Sequence, residues 1–68
     1  MIKLTGLNQA EFVINADHIE KLEEVPETVI TLDNGKKYLV QESVDEVIQL
    51  VIDYKRRIFA LGINGNGK

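Results

Sequence analysis

Thr28-Val29-Ile30-Thr31-Leu32-Asp33-Asn34-Gly35-Lys36-Lys37-Tyr38-Leu39-Val40 decides how the chain folds. β-Branched and aromatic residues fill both flanks, and these are the residue types that pack well on a pleated surface. Asn34-Gly35 sits between them. An Asn-Gly centre suits a two-residue type I′ turn, which needs positive φ at both positions. The stretch therefore predicts a β-hairpin closed over Asp33-Asn34-Gly35-Lys36.

Reading toward the N-terminus, Val25-Pro26-Glu27 is a break, because proline donates nothing to a sheet ladder and restricts the residue before it. Ile19 to Glu24 is either an edge strand or a loop. Asn15-Ala16-Asp17-His18 reads as a tight turn, since Asn and Asp side chains bond to nearby backbone amides. Phe12 with Ile14, and Ile2 with Leu4, alternate with polar neighbours and predict a first hairpin.

Reading toward the C-terminus, Ser43-Val44-Asp45-Glu46 has the S-x-x-E spacing of a capping box. Asp45 and Glu46 come early and Lys55, Arg56 and Arg57 late, as a helix macrodipole favours. The helix is expected to reach about Leu61, with Gly62 in the left-handed position that ends it. The fold class is thus α+β: a small antiparallel sheet of four or five strands, open to curling into a partial barrel, followed by one C-terminal amphipathic helix. Residues 1–61 form a single domain, and 62–68 a flexible Gly/Asn-rich tail.

The helix carries more apolar residues than one sheet can cover. Val44, Val47, Ile48, Val51, Ile52, Ile58 and Phe59 recur at helical spacing, and Leu50, Tyr54 and Leu61 lie beside them. At about 100° per residue the combined arc spans roughly 200°, twice what a surface helix typically buries. Either a curled sheet wraps the helix, or the flank of Leu50, Tyr54 and Leu61 meets another subunit. Size favours the subunit: a chain of 68 residues with no cysteine has neither disulfide nor thiolate metal site to supplement a thin core. A homo-oligomer, with trimer and tetramer both open, is the expectation. Lys55 falls near the middle of the arc, where its stem can lie along apolar neighbours while the ammonium reaches solvent. The sharper alternative gives it a partner across an interface, such as Glu23 or Glu24.

Little in the chain points to chemistry. His18 stands beside Asp17 and Glu20, but a metal needs three or four converging ligands and neighbours on a strand face opposite ways. Ser43 has a capping role and no histidine base nearby in sequence. The glycines from Gly62 onward follow a helix, whereas phosphate-cradling loops precede one. A net charge of −3 opposes phosphate backbones and anionic lipids, and Lys36-Lys37 and Lys55-Arg56-Arg57 are the only basic clusters. No cofactor, metal, nucleic acid or membrane insertion is expected, and no enzyme activity.

The order of these segments resembles the flagellar FlbD family, also called the swarming motility SwrD family. The carriers are Met1-Ile2-Lys3-Leu4-Thr5 with Leu7-Asn8, then Asn15-Ala16-Asp17-His18-Ile19-Glu20, Pro26-Glu27-Thr28, Asn34-Gly35-Lys36-Lys37-Tyr38 and Glu42-Ser43-Val44-Asp45-Glu46-Val47. They span Met1 to about Lys55. Gln9 departs from the pattern, standing where the glycine of a first Asn-Gly turn is expected, and so does His18, where an apolar residue is usual. The resemblance implies a cytoplasmic accessory protein, peripheral to the flagellar base, that supports swarming motility through motor torque or stator function. Its partners would be itself and a motor or stator component, and it implies no catalytic residue. The alternative is a small RNA-binding post-transcriptional regulator of flagellar genes, against which the acidic charge counts.

Overall fold

Alternation of apolar and polar residues builds the first strands. Ile2 and Leu4 turn inward and Lys3 outward along β1 (Ile2–Thr5), and β2 (Glu11–Ile14) buries Ile14 beside it. A single turn of 3₁₀ helix over Ala16–His18 leads into β3 (Ile19–Glu24), β4 (Thr28–Leu32), β5 (Lys37–Val40) and a C-terminal helix, α1 (Val44–Gly67). The computed structural model describes the backbone of residues 1–67 and the side chains of residues 1–60. The fold is α+β, and the segment 19–24 is a strand.

Two antiparallel sheets result, β1-β2 and β3-β4-β5. A bridge between Gly6 and Val40 joins them. There the Gln41 amide donates to the Thr5 carbonyl at 2.8 Å and Gln41 Nε2 donates to the Gly6 carbonyl at 3.0 Å. A Cβ on Gly6 would come within 2.9 Å of Asn8 Oδ1, so a larger residue there would displace the Asn8 side chain from the turn. The seam is local, and the strands do not close a barrel. At the other end the Asp33 amide donates to the His18 carbonyl at 2.8 Å, tying the β2-β3 connection to the β4-β5 turn.

Both hairpin turns are built alike. The Leu32 amide donates to the Lys36 carbonyl (2.8 Å), the Gly35 amide to the Leu32 carbonyl (2.9 Å), and the Lys36 amide to Asn34 Oδ1 (3.0 Å). In the first hairpin the Gly6 amide donates to the Ala10 carbonyl (2.8 Å), the Gln9 amide to the Gly6 carbonyl (3.0 Å), and the Ala10 amide to Asn8 Oδ1 (3.1 Å). These are three-residue loops whose third residue is left-handed, not the two-residue type I′ turn expected from Asn34-Gly35. Only Gly35 has positive φ there (89°), and Asn34 does not. Asn34 instead uses its side chain to hold the residue after the glycine. Gln9 takes the position equivalent to Gly35 at φ 73°, as the one described non-glycine residue with positive φ.

The core is the set Ile2, Leu4, Ile14, Ala16, Ile30, Leu32, Val40 and Val47. Leu4, Ile30, Val40 and Val47 are essentially without solvent contact, so β1, β4, β5 and α1 meet at one point. Phe12 and Tyr38 extend that junction between the two sheets, with ring centroids 5.3 Å apart.

The rotation of α1 differs from the sequence expectation. Leu50 and Tyr54, read there as the spare flank, pack with Val47 and Val51 against the core. Ile48 and Ile52, read as core residues, are exposed at 42% and 40%, and Phe59 is exposed as well; Ile58, on Val47's side of the helix but about three turns farther on, is exposed too. The reason is the position of Val47: once it is inserted at the junction, residues a turn or two on along the same line follow it inward, and those about 100° around the axis face out. From Lys55 to Ala60 every residue is exposed. The side chain of Leu61 lies outside the described residues. The helix also continues through Gly62, where a stop was expected, to Gly67; glycine in a helix costs about 1 kcal/mol relative to alanine and does not forbid continuation. The boundary expected between 61 and 62 is therefore not a change of backbone conformation, and Lys68 lies outside the described residues.

Replacing Gln9 with glycine should stabilise the chain by about 0.5–1 kcal/mol, because relief of left-handed strain exceeds the added entropy of the unfolded chain. Urea denaturation would measure it. An unchanged or lower midpoint would mean that the strain at Gln9 does not exceed that entropy.

Candidate functional site

Polar contacts fix where α1 leaves the sheets. Ser43 and Glu46 bond reciprocally: the Ser43 amide donates to Glu46 Oε1 at 2.8 Å, and the Glu46 amide donates to Ser43 Oγ at 3.1 Å. One residue earlier, Glu42 Oε1 accepts from the Thr5 amide at 3.0 Å, which ties the helix start to the end of β1. Burial acts to raise the Glu42 pKa, but bonds from the Thr5 amide, its own amide and the Thr5 hydroxyl outweigh that and hold it below its ordinary value. A shallow groove of about 330 Å³ beside this cap is lined by Lys3, Glu42, Glu46, Gln49 and Leu50. Both of its carboxylates are already committed to backbone amides.

Two turns farther along α1, Lys55 Nζ donates to Asp17 Oδ1 at 2.9 Å. This hydrogen bond, and then the charge of Lys55, hold the Asp17 pKa below its ordinary value. Lys55 thus has a partner within its own chain, in the turn where Asn15 Oδ1 accepts from the Asp17 amide at 3.0 Å. Next to it His18 Nδ1 lies 3.0 Å from Asp33 Oδ2, both side chains being more than half exposed. His18 therefore pins the β4-β5 turn. Among the described residues no three His, Cys, Asp or Glu side chains converge to hold a metal ion.

α1 also presents an apolar surface. Ile48, Ile52 and Phe59 line the outer side of α1, Phe59 being 69% exposed. Ile48, Ile52, Lys55 and Phe59 succeed one another at spacings of four, three and four, the repeat of a coiled-coil seam. Of the residues expected at an interface, Leu50 and Tyr54 are half-buried against the chain's own core, Lys55 is exposed at the edge of the seam, and Leu61 has no described side chain. The seam spacing was visible in the sequence. What the sequence did not supply was which of two adjacent apolar lines faces the sheets.

Residues 1–59 match the family model of FlbD, flagellar and swarming motility proteins, covering the whole β body and α1 as far as Phe59. The chain belongs to the FlbD family. It is accordingly a protein of flagellar or swarming motility. No curated protein and no solved structure matches it. Among the described residues no helix is long and apolar enough to cross a membrane.

Glu42 and Asp17 both have depressed pKa values in the fold, so each contributes stability that is present above its unfolded value, 4.5 and 3.8 respectively. That contribution is lost as pH falls through the lower folded value. Glu42→Gln should therefore narrow the drop in melting temperature between pH 7 and pH 3, followed by circular dichroism; a drop as large as the parent's would exclude Glu42 as a source of acid lability. Lys55→Met should move the Asp17 titration midpoint up toward 3.8, as read from side-chain carboxyl chemical shifts. A midpoint that stays put would show that the ion pair is not formed in solution.

Proposed function

We propose that this FlbD-family protein is a non-enzymatic flagellar accessory protein that supports motor torque or stator function through protein contacts. It acts in the cytoplasm, peripheral to the flagellar base. Membership of the family over residues 1–59 supports the motility role. The observation that carries the mode of action is the seam on α1: three large apolar side chains stand in solvent on a helix whose other face is already satisfied. Burying a side chain of this kind gains about 1.5–3 kcal/mol, which is large against the thin margin of so small a core.

The polar surface supports the same reading by contrast. Around the helix the carboxylates of Glu42, Glu46 and Asp17 are spent on the Thr5 and Ser43 amides and on Lys55, whereas Ile48, Ile52 and Phe59 stand exposed. Contacts with itself and with a motor or stator component are the two kinds the protein would make. The RNA-binding alternative gains nothing from the fold, since the seam is apolar and the net charge is −3.

Gene deletion, with single-motor torque measured on tethered cells, tests the role. Loss of swarming with lower torque per motor and unchanged flagellar number is the expected result. Unchanged swarming and torque would sink the proposal, and a fall in flagellar number at normal torque per motor would replace it with a regulatory role.

A further inference from the structure

Resting on that reading, we infer that the Ile48 and Ile52 part of the seam of α1 is covered by α1 of a second copy of this chain, running antiparallel, with Asp45 of each helix opposite Arg56 of the other. Charge decides both the occupant and the direction. Beside the seam Asp45 stands in the first part of α1 and Lys55 and Arg56 in the next, while Glu46, Asp53 and Arg57 project from other sides of the helix. Helix-dipole compensation accounts for Asp45 and Glu46 in the first turn, but not for the basic cluster, because the last turn of α1 holds no basic residue. A surface that is acidic at one end and basic at the other is complementary to itself only when reversed. A two-fold interface brings the same patch to both sides, so it needs this kind of self-complementarity. A parallel pair would set acid against acid and base against base.

The seam fits the same axis. At about 100° per residue, Asp45 and Arg56 fall close together on one edge of the line formed by Ile48 and Ile52. The point midway between residues 45 and 56 lies within that line, so Ile48 of one chain meets Ile52 of the other. In antiparallel pairs the flank on one side of a seam faces the equivalent flank of the partner, which brings Asp45 to Arg56 twice. Lys55, which interrupts the seam, is drawn aside by its 2.9 Å bond to Asp17, and its methylene stem is left along the edge of the contact.

The chain has no cysteine, so crosslinks can be placed at will. Light scattering on the eluting parent protein should give the mass of two chains, falling about twofold for Ile52→Glu with its circular dichroism spectrum retained, since Ile52 lies outside the core. When Asp45→Cys and Arg56→Cys chains are mixed and oxidised, the disulfide should form between the two variants and not within either one alone. A monomeric parent, a mass of three chains, or oxidation of each variant with itself would overturn the proposal. The torque measurement on the deletion strain is independent of these outcomes. A monomeric parent beside a torque defect would leave the accessory role standing and give the seam to another protein.

Discussion

Everything in this fold depends on the meeting of Leu4, Ile30, Val40 and Val47 at one solvent-free point. Neither sheet is large enough to be stable alone, and among the described residues the helix has no other fully buried side chain. Two small sheets and a helix can share a core only if their apolar side chains converge, and these four do. The Gly6–Val40 bridge and the Gln41 bonds hold the two sheets at the distance this convergence requires. The Glu42 and Ser43 contacts then aim α1 so that Val47 enters the junction. Removing a buried leucine or isoleucine typically costs about 2–5 kcal/mol, as much as a core of this size supplies. The margin leaves no element to spare.

Much of this was legible in the sequence because local chemistry specified it. Ser43 and Glu46 at the right spacing set where the helix begins, and β-branched residues on either side of Asn34-Gly35 set where the strands lie. Asn15 fixed the turn before β3. The turn type was not legible, because Asn-Gly serves both a two-residue turn with two positive φ angles and a three-residue loop with one; the register of Thr31 against Lys37 selects the longer loop. Gln9 stood out in the sequence as an oddity at an expected glycine, and in the fold it occupies a left-handed site.

The candidate surface was half legible. That α1 is too apolar for one sheet followed from its composition. Which line of residues was surplus did not, because Val47-Leu50-Val51-Tyr54 and Ile48-Ile52-Phe59 are equally regular. The choice between them is made by tertiary fit, through the angle at which Glu42 and Ser43 deliver the helix and the room that the junction leaves for Val47. The partner of Lys55 was hidden for a related reason, since Asp17 is distant in sequence and reaches it only once the sheets are in place.

The exposure of α1 from Lys55 to Ala60 bears on how its backbone exchanges hydrogen with solvent. Amides at Val47 and Val51 lie under the sheets, and opening them means dismantling the core. From the Asp17–Lys55 tie to Ala60 every residue is exposed, and helical bonds without tertiary cover open by local fraying at a small fraction of the global unfolding free energy. Protection from exchange should therefore fall along α1 in a gradient that begins near Tyr54. Anything that covers the outer part of the helix would flatten the gradient, making the ordered length of α1 a property of the assembly more than of the single chain.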